Sequence, residues 1–486
     1  MCVFDKPRIT EIDLDQELEY VRDEESLVRF ECRNPNCQYA TENSSKLFRH
    51  EEVCRTYTDI QCKQMAMHRP SDKIRNELIA EGIIPSDSWH NWHFVTFDVE
   101  CFMDAEGPLG KNSIHRLVSI AVKASFGPQY YLERRDMNPF SVKSLMQEFV
   151  HTLWYLRGEM HKQIPKSVLN GHKKYEALVG SHGFRNRSVQ QQTTARSKHR
   201  FLRNCLALRV YSWNGERYDH NVIWAPLLDV YDTTDETFKH FNIIRRGTGL
   251  MQFSDGDLIF RDFLNMTSPM SLDKFAQSCG VTSSEKTTFP YELYDNICDL
   301  RLAKEFPPYS SFRSSLRPNN NEDFKQELAT LAIERVALGH WSSYDEANKV
   351  FGFDPPIRFT VKGTVHPDDA HHADQHLHSS PRKYYNSKEI FRTKCQTMSD
   401  YLKLYNLNDV ILLEDCIRAY TTGFYETWRV NIHDQMSLPS VAQDLAFRFY
   451  DEKATSIYTF GKSFMEFNTQ IRKQLLGGMT LGLVYF

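Results

Sequence analysis

No apolar run in these 486 residues approaches the roughly 18 that a membrane span requires, so no membrane partner is expected. The amino terminus, Met1 to Asp15, carries early acids and lacks a signal-peptide core, which predicts an intracellular chain, nuclear or cytoplasmic. Positive charge is not in excess: 59 Lys and Arg against 63 Asp and Glu leave −4, which excludes a histone-like polycation. A basic patch beside an acidic centre is still compatible with that balance. The eleven cysteines are odd in number and scattered, a poor basis for a disulfide framework. There is no internal repeat. With 41% hydrophobic and 25% charged residues the composition is that of an ordinary globular chain. The length predicts about three domains.

Character changes along the chain. Residues 1–24 read as an acidic arm, 25–66 as a compact cysteine-bearing unit, 67–88 as a linker, 89–425 as a mixed α/β domain and 426–486 as the start of a junction. Phe94 to Glu100 and Leu117 to Lys123 read as buried strands, and Tyr130 and Tyr131 as part of a third after the Gly127-Pro128 turn. Leu145, Phe149, Leu153 and Leu156 recur at helical spacing. Three strands and then a helix is how an RNase H-like sheet begins. Residues 161–204 interrupt the pattern with ten basic residues, Lys162, Lys166, Lys173, Lys174, Arg185, Arg187, Arg196, Lys198, Arg200 and Arg203, against the single acid Glu176. The stretch reads as an inserted loop, either a solvated surface or a contact with phosphates.

Cys32-x4-Cys37-x12-His50-x3-Cys54 has the spacing of a ββα zinc finger with cysteine as fourth ligand. Two cysteines on a turn and two ligands one helical turn apart close a tetrahedron around one zinc ion. Phe30 and Leu47 occupy the positions of such a finger's small core, while Thr41 replaces the usual apolar residue. Cys62 is an alternate ligand, and free thiols beside a surface helix are the bland reading. The polar and acidic helix face argues for a structural unit rather than for base readout.

Three further elements carry acids. Asp98 and Glu100 stand two apart on a strand and so leave the same face of the sheet. Trp213 to Asp219 brackets a glycine-containing turn with Asn214 and Asp219. Tyr405 and Asp409 lie four apart on a helix, one above the other. Each alone has a bland explanation as a salt-bridged strand, a turn or an exposed helix face.

Taken in order, Asp98-x-Glu100, Asn214-x3-Tyr218-Asp219 and Tyr405-x3-Asp409 resemble the three motifs of the 3′→5′ proofreading exonuclease of family B DNA polymerases. Ser271-Leu272-Asp273-Lys274-Phe275 is similar to the motif that holds single-stranded DNA there. Lys286-Thr287-Thr288-Phe289-Pro290-Tyr291-Glu292 resembles the lysine-x2-hydrophobic motif in its protein-primed form. Leu404 to Leu413 and Ser437-Leu438-Pro439-Ser440 are similar to viral, organellar and Maverick/Polinton-type polymerases. The resemblance runs from about residue 90 to the end of the chain. It implies an α/β, RNase H-like (DnaQ-like) fold and a two-metal hydrolysis of DNA from the 3′ end of a single strand. Asp98, Glu100, Asp219 and Asp409 would hold two Mg²⁺ or Mn²⁺, with Tyr405 orienting the attacking water. Asn214 and Tyr218 would steady the terminal nucleotide, and Ser271, Leu272 and Lys286 would guide the strand.

The chain also departs from that family. Neither the palm's Asp-x2-Ser-Leu-Tyr-Pro strand nor its Tyr-x-Asp-Thr-Asp turn is present. Tyr231-Asp232-Thr233-Thr234-Asp235 has an extra threonine and the wrong place in the order, so it reads as a loop. Gly477-Gly478 stands where the junction to the palm begins, without its usual flanking Tyr and Arg. The histidine-rich run from His366 to His378 lies among prolines and polar residues and reads as a loop. The expectation is an exonuclease portion truncated before the palm or completed by a separate palm-bearing chain, with a priming terminal protein as a further partner. Alternatives are a free-standing nuclease of the same fold and a silent zinc-finger DNA-binding relic of a mobile element.

Overall fold

The computed structural model describes residues 70–104, 114–231, 241–281, 287–312, 321–366 and 380–449, with short pieces at 30–31, 40–41, 44–48, 50, 63–64, 369 and 458–459. The chain divides into two compact units, one of Met1–Met67 with Phe449–Phe486 and one of His68–Arg448. In the first unit Phe30–Glu31 pairs antiparallel with Ala40–Thr41, residues 44–48 are helical, and Lys63–Gln64 pairs with Tyr458–Thr459.

The second unit is mixed α/β around one seven-stranded sheet. Its strands are β1 (Phe94–Asp104), β2 (Ile114–Ala124), β3 (Gln129–Glu133), β4 (Leu208–Ser212), β5 (Asn242–Arg246), β6 (Gly249–Ser254) and β7 (Leu258–Asp262), in the spatial order β3-β2-β1-β4-β7-β6-β5. β1, β2 and β3 form an antiparallel meander, whereas β4 runs parallel to β1 and β7 parallel to β4. β5 and β6 add an antiparallel hairpin beyond β7.

The period of two in β1 divides its side chains between two cores. Val95, Phe97, Val99 and Cys101 join the core that takes Leu145, Met146, Phe149, Leu153, Leu156 and Met160 from α2 (Pro139–Gln163). Phe94 packs instead with Leu412, Leu413 and Cys416 of the 31-residue helix α11 (Met398–Trp428). Phe102 packs with Tyr401 and Tyr405 of the same helix. Asp98 and Glu100 share the parity of Phe94 and Phe102, and therefore the α11 face. Thr397 starts α11 with a capping box closed by Asp400. Among the described residues no helix is long and apolar enough to cross a membrane.

Three boundaries differ from the sequence expectation. The linker proposed for 67–88 contains the helix α1 (Pro70–Ala80), and Leu78, Ile83 and Ile84 enter the main core. The basic stretch 161–204 is helical rather than a loop. It forms α3 (Lys166–Gly180), a short 3₁₀ turn (His182–Asn186) and α4 (Val189–Leu206). Val168 and Tyr175 on α3 and Ala195, Leu202 and Leu206 on α4 are buried, and Ser188 with Gln191 closes a capping box on α4. Its apolar stripe is thin because a lysine stands in it. Lys198 is only 8% exposed and pairs at 2.7 Å with both Glu77 and Glu81 beside α1. The third boundary, at 425, falls inside α11, and Ile432 and Val441 beyond it belong to the same core as Leu412.

Candidate functional site

The pairing of β1 with β4 runs only from Phe94 to Thr96, so Asp98 and Glu100 project past the shared stretch, where the chain after β4 turns away. In the pairing with β2 the register shifts between Glu100 and Cys101. Such a bulge re-aims side chains where a ladder gives way. From α11, Asp409 meets this pair: a carboxylate oxygen from each of Asp98, Glu100 and Asp409 lies within 4.8 Å of the others. Asn406, one turn earlier and fully buried, donates from Nδ2 to Asp98 Oδ2 at 3.5 Å. Tyr405 faces the same way, and its hydroxyl accepts a 2.9 Å hydrogen bond from Tyr291.

The turn after β4 supplies the fourth acid. Asn214 holds a left-handed backbone, φ 64°, a conformation that asparagine tolerates better than most residues. A Cβ on Gly215 would lie 1.8 Å from Ser212 Oγ, so that position admits only glycine. Asp262, at the end of β7, fixes the turn by accepting the backbone N–H groups of Asn214 at 2.9 Å and Glu216 at 3.1 Å. Trp213 stacks on Phe275 of α6 (Leu272–Ser278), with ring centroids 4.8 Å apart. The turn delivers Asp219 as the first residue of α5 (Asp219–Val230), 3% exposed, where helix N–H groups favour an acid. Beside it the Tyr218 hydroxyl lies 2.9 Å from His115 Nδ1.

Burial and like charge act together on these acids. Glu100, 5% exposed, is pushed well above the ordinary glutamate range, first by burial and then by the charges of Asp98 and Asp409. Hydrogen bonds from Tyr291 and Asn406 only partly oppose this. Asp219 is pushed up in the same direction by burial, by Asp98 and by Asp262. Asp262 itself rises to about 6, because burial outweighs its bonds to backbone N–H groups. The acids thus repel one another in the fold, and a cation at their centre would relieve the repulsion. The donors are all hard oxygens, which suit Mg²⁺ or Mn²⁺.

Asp98, Glu100 and Asp409 are brought together as the resemblance implies, Asp219 couples electrostatically to Asp98, and Tyr405 sits on the same helix face as Asp409. Ser271 caps α6, its hydroxyl accepting from the Lys274 N–H. Leu272 is a core residue, packed in the cluster with Phe275. Lys286, Cys32, Cys37 and Cys54 lie outside the described residues, as do the histidines from His371 to His378, Asp232 to Asp235, and Gly477 and Gly478. His50 is helical and half-buried. Sequence reasoning missed Tyr291, Asn406 and Asp262. Asn406 lies inside a motif already singled out, three residues before Asp409, and its side chain meets Asp98. Tyr291 likewise lies inside the stretch that carries the lysine motif, whereas Asp262 reaches the site through the fold alone. Comparison with protein-family models, with curated proteins and with solved structures gives no match.

Proposed function

We propose that the chain is a two-metal 3′→5′ exonuclease acting on the 3′ end of single-stranded DNA, with an RNase H-like fold and the lineage of protein-primed family B DNA polymerases. One observation carries the reading. Three carboxylates from β1 and α11 converge within 4.8 Å, and a fourth, buried at the start of α5, couples electrostatically to the first. The sheet order supports it as well, since a three-stranded antiparallel meander followed by two parallel strands is the arrangement of that fold.

The donor set fits hard divalent cations, because buried acids that repel one another lack the charge that would hold them ionised. Asp98, Glu100 and Asp409, together with Asp219, would hold the two ions. Two such ions, when bound, supply the charge that activates water and stabilises the leaving oxygen. Tyr405 orients the attacking water through its hydroxyl, and Tyr291 fixes the direction of that hydroxyl. Asn214 and Tyr218 steady the terminal nucleotide. Ser271 and Lys286 guide the strand, with Leu272 acting from the core by seating α6. At the amino terminus, Cys32, Cys37, His50 and Cys54 take one structural zinc, a reading supported by the short antiparallel pair followed by helical residues.

The test is digestion of 3′-labelled and 5′-labelled single-stranded DNA with Mg²⁺ or Mn²⁺. The expected result is stepwise shortening from the 3′ end, stopped by EDTA and nearly abolished by Asp98→Ala with Glu100→Ala. Tyr405→Phe leaves the acids in place. Loss of one hydrogen bond of about 1 kcal/mol should slow the reaction on the order of tenfold. Digestion by the double variant at the wild-type rate would overturn the assignment. Primer extension by the chain alone is not expected.

A further inference from the structure

The helical hairpin α3–α4 carries a second cluster of ligating side chains, none of which serves the acidic site. His172 and Glu176 stand one turn apart on α3, and His199 faces them from α4. One ligand atom from each of the three lies within 4.8 Å of the other two. The imidazoles of His172 and His199 are stacked, their centroids 5.0 Å apart and their planes inclined by 25°. His172 Nδ1 lies 3.9 Å from the Glu176 carboxylate, too far for a hydrogen bond.

The cluster has an unsatisfied side. Nε2 of His172 and Nε2 of His199 are both buried without a hydrogen-bond partner. A polar atom sealed from water in this way costs about 1–3 kcal/mol, and two in one pair of touching rings is a concentration that folded proteins avoid unless something else binds there. Burial also holds both imidazoles below the ordinary histidine range, which leaves each with a free lone pair at neutral pH.

We propose that His172, Glu176 and His199 form a zinc-class transition-metal site that clips α3 to α4, with water in the fourth position. Two imidazoles and a carboxylate are a ligand set that suits zinc, and they discriminate against the hard Mg²⁺ or Mn²⁺ of the acidic site. A tetrahedron with bonds near 2.0–2.1 Å needs ligand atoms about 3.4 Å apart, so the side chains must draw together by an ångström or so. Glu176, whose side chain is 63% exposed, is free to rotate toward the histidines. An ion bound only by the folded hairpin stabilises it by mass action, in a segment whose apolar stripe is thin.

The experiment uses the full-length chain carrying Cys32→Ser and Cys37→Ser, which removes the amino-terminal thiolates. The protein is stripped by a chelator, then titrated with Co²⁺ in excess Mg²⁺, which keeps the acidic site filled. The expected result is one equivalent of Co²⁺ with visible d–d bands of nitrogen and oxygen ligation, displaced by Zn²⁺. His199→Gln should remove these bands without changing the melting temperature of the metal-free chain. Glu176→Gln, at an exposed position that leaves the fold intact, should weaken Co²⁺ binding by at least about tenfold. Absence of the bands in the parent chain, or unchanged affinity in both variants, would overturn the proposal. DNA digestion is not the readout, so failure here and failure of the nuclease reading are separate results.

Discussion

Thr96, fully buried on β1, donates its hydroxyl to the carbonyl oxygen of Val410 on α11 at 2.8 Å. That bond joins the strand bearing Asp98 to the helix bearing Asp409, two residues from one acid and one from the other. Thr96→Val keeps the shape of the side chain and deletes the bond. It should destabilise the protein by about 1 kcal/mol. It should also weaken Mg²⁺ binding, because the seam sets the spacing of the acids. Urea unfolding with and without Mg²⁺ checks this, and an unchanged midpoint in both would show that the seam holds without the hydroxyl.

The acids make the stability of the metal-free protein depend on pH in an unusual direction. Glu100 and Asp219 bind protons more tightly in the fold than at their ordinary values of 4.5 and 3.8. The native state therefore carries more protons than the unfolded chain above those values, and stability falls as pH rises. The loss begins near pH 4–5 and continues until the folded-state carboxyls have ionised. Melting in EDTA should drop between pH 5 and pH 8 more steeply than in saturating Mg²⁺. Glu100→Gln should flatten the EDTA curve. Parallel curves for the two conditions would contradict the repulsion argument.

Asp262 is the positioning residue for the turn that carries Asp219. Asp262→Asn sets an amide N–H against a backbone N–H that the carboxylate now accepts. The cost should be about 1–3 kcal/mol. Digestion should slow while the Mg²⁺ concentration required for half-maximal rate rises, since Asp219 loses its register. A fall in rate with an unchanged Mg²⁺ requirement would place the role of Asp262 in folding alone.

Lys198 predicts a contrast within the basic hairpin. Lys198→Met leaves Glu77 and Glu81 without their shared cation, and the chain should lose about 1–3 kcal/mol, the carboxylates being partly hydrated. DNA affinity should not change, because Lys198 is buried. Exposed Arg187, Arg196 and Arg200 are the residues to neutralise for a salt-dependence test. Each lost phosphate contact should lower the log–log slope by roughly 0.7 for a single strand. Weakened DNA binding by Lys198→Met at temperatures where it is folded would overturn this division.

How much of this was legible in the sequence depends on how local the signal is. Asp98 and Glu100 are placed by the period of two in a strongly apolar strand, and Tyr405 and Asp409 by the period of four in a long helix. Both needed only neighbouring residues. The hairpin resembles a loop in sequence because its buried positions include Gly171, Ala195 and Lys198, none of which registers as apolar periodicity. A lysine becomes a core residue only when Glu77 and Glu81 arrive from another helix. Asp262 is invisible for the same reason, and Tyr291 shows no role in the stretch that holds it, since each acts through partners far away in the chain.

Thr96 and Val410 are separated by 314 residues. At roughly 5–20 residues per second, a ribosome needs on the order of tens of seconds to make the helix after the strand. Through that interval the nascent polypeptide carries Asp98 and Glu100 without Asp409 and Tyr405. On the proposed nuclease reading, a fragment cut before α11 lacks Asp409 and should not digest DNA. The acidic set is complete only once α11 has been translated, so the order of the chain sets the earliest moment at which the acids can meet.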